Sequence, residues 1–238
     1  MSIQERFVQD FITDNRWMFI VKGLGVTLEV TALALVFGVI IGLIIGVIRC
    51  IHDQRSIDEK RGFSSIVIDV LDALCRIYIT VIRGTPVLVQ LLIMFFIILV
   101  SADSKVTVAV VTFSINSGAY VAEIFRGGIM SIDRGQMEAG RSLGLTYMQT
   151  MFKIIIPQAL KASLPALANE FIALMKETSI CGYIGLNELT RGGDIIRGTT
   201  FDALLPLFAV ALIYLVLVMF FTYLLSLVEK SLRKSDVR

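Results

Sequence analysis

The sequence predicts an all-α integral membrane protein with five transmembrane helices. Three observations lead there. Of 238 residues, 56% are hydrophobic and only 18% are charged, with a mean hydropathy of +0.81, whereas soluble domains run at roughly 45–50% apolar and about 25% charged. The apolar residues fall in long unbroken runs, at 23–48, 64–82, 86–100, 106–125, 154–175 and 203–228. A spanning helix needs about 20 such residues, so the runs consume most of the chain and leave little for a soluble domain.

Taken in order, residues 1–22 are mixed in charge and lack the basic start of a cleaved signal, and the distribution of Lys and Arg places them as an extracytoplasmic N-terminal segment. The first span, 23–48, carries Gly38, Gly42 and Gly46 at every fourth position, the small-residue stripe that lets helix backbones pack closely in lipid. The neighbour is another helix of this chain or a second copy, and packing within the chain is the simpler expectation. The run 86–100 holds 15 residues, roughly 22 Å of helix against a hydrocarbon core of about 30 Å. It is therefore joined to 64–82 as one long helix, interrupted at Arg83-Gly84-Thr85-Pro86, because proline removes a backbone donor and disfavours helix at the residue before it. Spans at 106–125, 154–175 and 203–228 follow, all within one membrane domain over 23–228, with a loop at 130–153 and a tail at 229–238. Lys and Arg favour cytoplasmic segments. With the N-terminus outside and the C-terminus inside, the inner segments carry 12 of them and the outer segments 7.

Several chemistries are excluded. No G-x-x-x-x-G-K-[ST] occurs, so no phosphate-cradling loop of this chain holds ATP. The single His52 rules out a His-based zinc site or a Ser-His pair in the membrane, and no catalytic or metal-binding residue is assigned. Cys50, Cys75 and Cys181 stand alone, without CxxC spacing, as small apolar fillers. A net charge of +2 gives no basis for a nucleic-acid partner. Asp72 and Arg76, four apart on one helix, predict a local ion pair, and Glu123 with Arg126 an interfacial one.

The loop at 130–153 contains Glu138-Ala139-Gly140, then three residues, Gly144, nine residues, and Ile154-x-Ile156-Pro157. A short helix over 136–143 fits, with Glu138 near its start, where the backbone dipole favours a negative charge. The spacing resembles the EAA signature of ATP-binding cassette (ABC) importer permeases, E-A-A-x3-G-x9-I-x-L-P, with Gly140 and Ile156 as departures. Each glycine lowers helix stability by up to about 1 kcal/mol relative to alanine. The stretches 83–91, 119–129 and 169–179 look like the polar amino acid uptake subfamily, the histidine/glutamine permease type.

The resemblance implies a type I ABC importer permease (MetI-like) fold in the plasma (inner) membrane of a prokaryote. It implies a second permease chain, identical or related, and two copies of an ABC ATPase subunit that hold ATP and Mg, leaving no cofactor in this chain. It implies an extracytoplasmic amino-acid-binding protein, for which the outer stretch 181–200 with Arg191, Asp194 and Arg197 is the natural landing surface. In the family the EAA loop seats in the ATPase, so Glu138, Ala139, Gly140 and Gly144 are the coupling candidates.

Polar and ionisable residues inside a span are costly, charged ones by roughly 2.5–3.5 kcal/mol on insertion scales, and mark a substrate path or a buried pair. Arg83, Gln90, Asn169 and Glu170 qualify as substrate-binding candidates. Arg83 suits a carboxylate and Glu170 an ammonium group, the two charges of a free amino acid; the competing expectation is that the two pair with each other or with the sister subunit. The sequence thus predicts a permease subunit for polar or charged amino acids. The alternative is an ion-gradient-driven secondary transporter, which would show internal repeats and paired broken helices; only one clear break is found.

Overall fold

The computed structural model describes residues 2–53 and 63–236, which are helical apart from short connections. The elements are α1 (Ile3–Phe7), α2 (Trp17–Asp53), α3 (Phe63–Gly84), α4 (Val87–Ile93), α5 (Lys105–Met130), α6 (Arg134–Ser142), α7 (Tyr147–Thr150), α8 (Ile156–Glu177), α9 (Leu189–Thr200) and α10 (Leu204–Asp236). Wider, π-type turns continue α1 over Val8–Ile12 and α4 over Met94–Ile98, and lead into α8 over Met151–Ile155. The last of these ends just before Pro157, which has no N–H to give an ordinary helix; the Ile156 N–H reaches five residues back to Met151.

Among the described residues, α2, α5 and α10 are long and apolar enough to cross a membrane, and α3 with α4 adds a fourth if the interrupted pair is one span. The interruption falls where the proline rule places it. Gly84 ends α3, Thr85 Oγ1 donates to the Val81 carbonyl at 2.8 Å, and Pro86 caps α4 with extended backbone. The 22 residues of α8 reach roughly 33 Å, but with Gln158, Lys161, Asn169 and Glu170 it is not among the helices apolar enough to qualify.

Two boundaries move. Helix α2 begins at Trp17 rather than at 23, and α10 runs on to Asp236, so most of the segment expected as a tail is a helical extension of the last span. Three of the positive residues counted for the first inner segment, Arg55, Lys60 and Arg61, lie outside the described residues.

The chain divides into two compact units. The first comprises Met1–Leu35, Pro86–Ser114 and Phe171–Ser226. One of its cores joins Val30 and Ala34 of α2 to Leu91, Phe113, Leu174 and Cys181. The other joins Phe11 and Ile20 to Leu189, Ile196 and Val210. At position 23 only glycine fits, because a Cβ would lie 2.6 Å from the Glu188 carbonyl oxygen.

The second unit comprises Val36–Thr85, Ile115–Glu170 and Leu227–Arg238. Its helix directions can be read residue by residue. A Cβ on Gly38, Gly42 or Gly46 would meet the Cβ of Ser117, Val121 and Phe125 at 3.0, 2.5 and 3.2 Å respectively. Both series climb by four, so α2 and α5 run parallel and the glycine stripe packs within the chain. Helix α3 runs against α2, since Arg49 and His52 meet Asp72 and Asp69 in reverse order. Helix α8 runs against α5, with Glu170 bonded to Ser117 and Ser163 to the Ile124 carbonyl. All three cysteines are buried and unbridged, as fillers should be.

Candidate functional site

Within the second unit, one face of α5 gathers two of the four substrate candidates. The Arg83 guanidinium lies over the Tyr120 ring, 5.0 Å from its centroid. Ser117, fully buried, donates from Oγ to Glu170 Oε1 at 2.9 Å. Ser117 and Tyr120 are three residues apart and therefore share a helix face, separated by about 4.5 Å along the axis. A cation and a carboxylate are thus each tethered to adjacent positions of one helix. Asn169 is exposed on α8 beside Glu170, and Gln90 is half-buried on α4 in the first unit.

Sequence reasoning did not single out Ser117 or Tyr120. Tyr120 lies in the family-like stretch 119–129 but gave no sign of a cation over its ring, and Ser in a helix is ordinarily satisfied by its own backbone. Ser114, three residues earlier, does bond that way, to the Val110 carbonyl at 2.6 Å.

One turn further along α5, where Arg83 also acts electrostatically on Glu123, Arg49 bridges α2 to α3 and α5, bonded to Glu123 and 3.6 Å from Asp72. The expected Asp72–Arg76 pair is present at 2.5 Å and the Glu123–Arg126 pair at 3.2 Å. His52 adds contacts to Asp53, Asp69 and Asp72 at 3.3–3.6 Å. His52, Asp53 and Asp72 are close enough to share a metal ion. The guanidinium of Arg76 sits on both carboxylates and that of Arg49 on Asp72, so the donors are committed to a cationic network that ties three helices together.

The loop after α5 builds a short amphipathic helix. Asp133 caps α6, its carboxylate accepting from the Gly135 N–H at 2.6 Å. The helix therefore starts two residues before the expected 136, and Glu138 sits in its second turn, with Asp133 as the acidic group at the N-terminus. The end is a Schellman motif, in which two backward hydrogen bonds close the last turn around a left-handed residue. The Leu145 N–H reaches the Gly140 carbonyl at 3.1 Å, the Gly144 N–H reaches the Arg141 carbonyl at 3.0 Å, and Gly144 takes φ +83°. The six-residue gap from Glu138 to Gly144 is thus the distance from the helix's second turn to its left-handed stop.

The two faces of α6 differ. Gly140 is buried against α7, where a Cβ would lie 2.5 Å from Thr150 Cγ2, so its smallness serves packing inside this chain. Arg134, Met137, Glu138 and Arg141, at i, i+3, i+4 and i+7, line a cavity of about 500 Å³ together with Arg126 and Tyr147. Glu138, Ala139 and Gly144 are exposed, and Leu143 is 82% exposed, an open apolar edge.

In the first unit, Glu188 is buried and caps α9, accepting from the Thr190 and Arg191 N–H groups at 2.7 and 2.6 Å. Burial pushes its carboxyl above the ordinary range. Along the exposed side of α9, Arg191 and Arg197 both pair with Asp194 at 2.6 Å. The Arg197 hydrogen bond, foremost, holds Asp194 below the usual carboxylate value.

The chain is similar to known proteins in sequence and fold. Residues 68–234 match the family described as the binding-protein-dependent transport system inner membrane component. The arginine transport system permease ArtQ of Bacillus subtilis is 37% identical over 221 residues, covering 92% of this chain and 94% of that protein. The glutamine transport system permease GlnP of Escherichia coli is 36% identical over 218 residues, covering 90% and 93%. A crystal structure of an amino acid ABC transporter with histidines is 40% identical, with a TM-score of 0.79 over 93% of this chain and 98% of that one. The inward-facing MetNI methionine ABC transporter shares the fold, at 20% identity and a TM-score of 0.75. With its EAA-type loop folded as a capped helix and its family match covering most of its length, the chain belongs to the binding-protein-dependent transport system inner membrane components.

Proposed function

We propose that the chain is the permease subunit of an ABC importer that carries polar or charged amino acids across the plasma membrane of a prokaryote. It is a multi-pass membrane protein, and ATP hydrolysis belongs to a separate ATPase subunit, with a substrate-binding protein as the further partner. The observation that carries the substrate reading is the pair of opposite charges on α5: Arg83 over Tyr120 for the α-carboxylate, and Glu170 on Ser117 for the ammonium group or a cationic side chain. Asn169 lies beside Glu170 to take a further polar group.

Coupling runs through α6. The open edge of Ala139 and Leu143 receives the ATPase, and the neighbouring cavity admits a partner side chain to Glu138. Gly140 and Gly144 act on the shape of the helix and its exit. Two permease chains, alike or related, and two ATPase copies complete the assembly.

Five spans fit this reading: α2, the interrupted α3–α4 pair, α5, α8 and α10. The parallel course of α2 and α5 supports it, because two parallel spans require an odd number of crossings between them, which makes the α3–α4 pair one crossing. The N-terminal segment then lies outside, the loop 130–153 and the C-terminus inside, and α9 faces the binding protein with Arg191 and Arg197. A secondary transporter is not supported, since the relatives are permease subunits of binding-protein-dependent systems.

Glu170→Gln tests the substrate site. It should weaken substrate-stimulated ATP hydrolysis while the complex still purifies intact; an unchanged dependence on substrate assigns Glu170 to structure alone.

A further inference from the structure

The N-terminal segment presents an apolar surface that no core of the chain absorbs. Phe11 is buried with Ile20, Leu189, Ile196 and Val210, which fixes the segment to the first unit. On its outer side Ile3 is 76% exposed, and Phe7, Val8 and Ile12 are exposed as well. Ser2 and Glu5 bond reciprocally, the Glu5 carboxylate accepting from the Ser2 N–H at 2.9 Å and Ser2 Oγ from the Glu5 N–H at 3.2 Å, which satisfies two donors of the first turn. Arg6 reaches Asp202 at 3.8 Å, bringing α1 beside the junction of α9 and α10.

At that junction Phe201 is 94% exposed and holds φ +57°, a left-handed conformation that bulky residues rarely adopt. Among the described residues the ring is almost fully uncovered. The spans that start next to these residues open with the same kind of surface: Trp17, Met18 and Phe19 on α2, Leu204 and Phe208 on α10, all exposed. Those side chains face lipid in a multi-pass membrane protein. The N-terminal surface is continuous with them, and it combines apolar and aromatic groups with a charged flank in the manner of helices that lie at the membrane boundary.

We infer that residues 3–12 and Phe201 form an interfacial collar that lies in the lipid headgroup layer, rather than a segment free in water. Its occupant is phospholipid, at the depth where Trp17 and Leu204 begin their spans. The collar rests on family membership and not on the substrate site.

The test uses the assembled permease–ATPase complex in lipid nanodiscs, with Phe7→Trp and Phe201→Trp each compared with the wild-type complex. The fluorescence increment that each new tryptophan adds should be quenched at least twofold more by phospholipid brominated near the headgroup than by phospholipid brominated deep in the chain, and should resist aqueous iodide. Val8→Trp gives the same readout if Phe7→Trp does not assemble. Free quenching by iodide with no effect of brominated lipid overturns the collar. So does iodide quenching that is relieved by purified binding protein, which would make the surface a protein-docking site.

Discussion

Ser117 donates a 2.9 Å hydrogen bond to Glu170 one helical turn from Tyr120, the ring on which Arg83 rests. Two helices thereby deliver opposite charges to one face of a third. A hydrogen bond to a charged group contributes about 1.5–3 kcal/mol, so Ser117→Ala should raise the amino acid concentration for half-maximal stimulation of ATP hydrolysis by about tenfold or more. Tyr120→Leu removes the cation–π contact, of about 0.5–2 kcal/mol, and should act in the same direction. Substrate titrations of ATP hydrolysis in the intact complex check both.

Gly144 carries φ +83° and a Cβ there would meet nothing within 4 Å. Conformation, not space, sets what the position tolerates. A left-handed L-residue costs about 1–2 kcal/mol, and least for asparagine. Transport coupled to ATP hydrolysis should therefore fall in the order Gly144→Asn, Gly144→Ala, Gly144→Val, with membrane insertion unchanged. An order that follows side-chain size at the ATPase surface, with asparagine worse than alanine, would speak for direct contact.

Gly42 and Gly25 lie on the same helix in opposite circumstances. A Cβ at 42 would sit 2.5 Å from Val121 Cβ, while one at 25 meets nothing within 4 Å. Overpacking of this kind costs typically about 1–3 kcal/mol. Gly42→Ala should lower the thermal midpoint of the purified protein by several degrees, and Gly25→Ala should leave it unchanged or raise it.

Glu188 predicts a pH dependence of known sign. Its folded pKa is raised by burial, so the folded protein holds this proton more tightly than the unfolded chain, whose value is about 4.3. The resulting stability is complete below the unfolded value and is lost as pH rises through the folded one. Thermal midpoints measured upward from about pH 4.3 should decline in the wild type, and Glu188→Gln should flatten that decline. Asp194, lowered by Arg197, acts in the opposite direction and only below the usual aspartate range.

The long apolar helices α2, α5 and α10, the break at Pro86 and the packing stripe of Gly38, Gly42 and Gly46 were legible because each obeys a local rule. The helix of the EAA-type loop was legible by spacing, and the structure supplies its physics, a left-handed stop at Gly144 and a close approach at Gly140. The sequence misplaced the helix start because Asp133 lies outside the matched motif. Arg49 stayed hidden because its partner Glu123 is 74 residues away, and Ser117 because a hydroxyl in a span gives no sign of which carboxylate it faces. Long-range polar pairs depend on how helices cross, which periodicity does not encode.

On the proposed function, this chain translocates amino acids only when a partner hydrolyses ATP. Proteoliposomes containing the permease with its ATPase, supplied with binding protein, should accumulate labelled amino acid on addition of internal ATP and continue when ionophores collapse the ion gradients. Uptake by the permease alone, driven by an ion gradient without ATPase or nucleotide, would contradict the account.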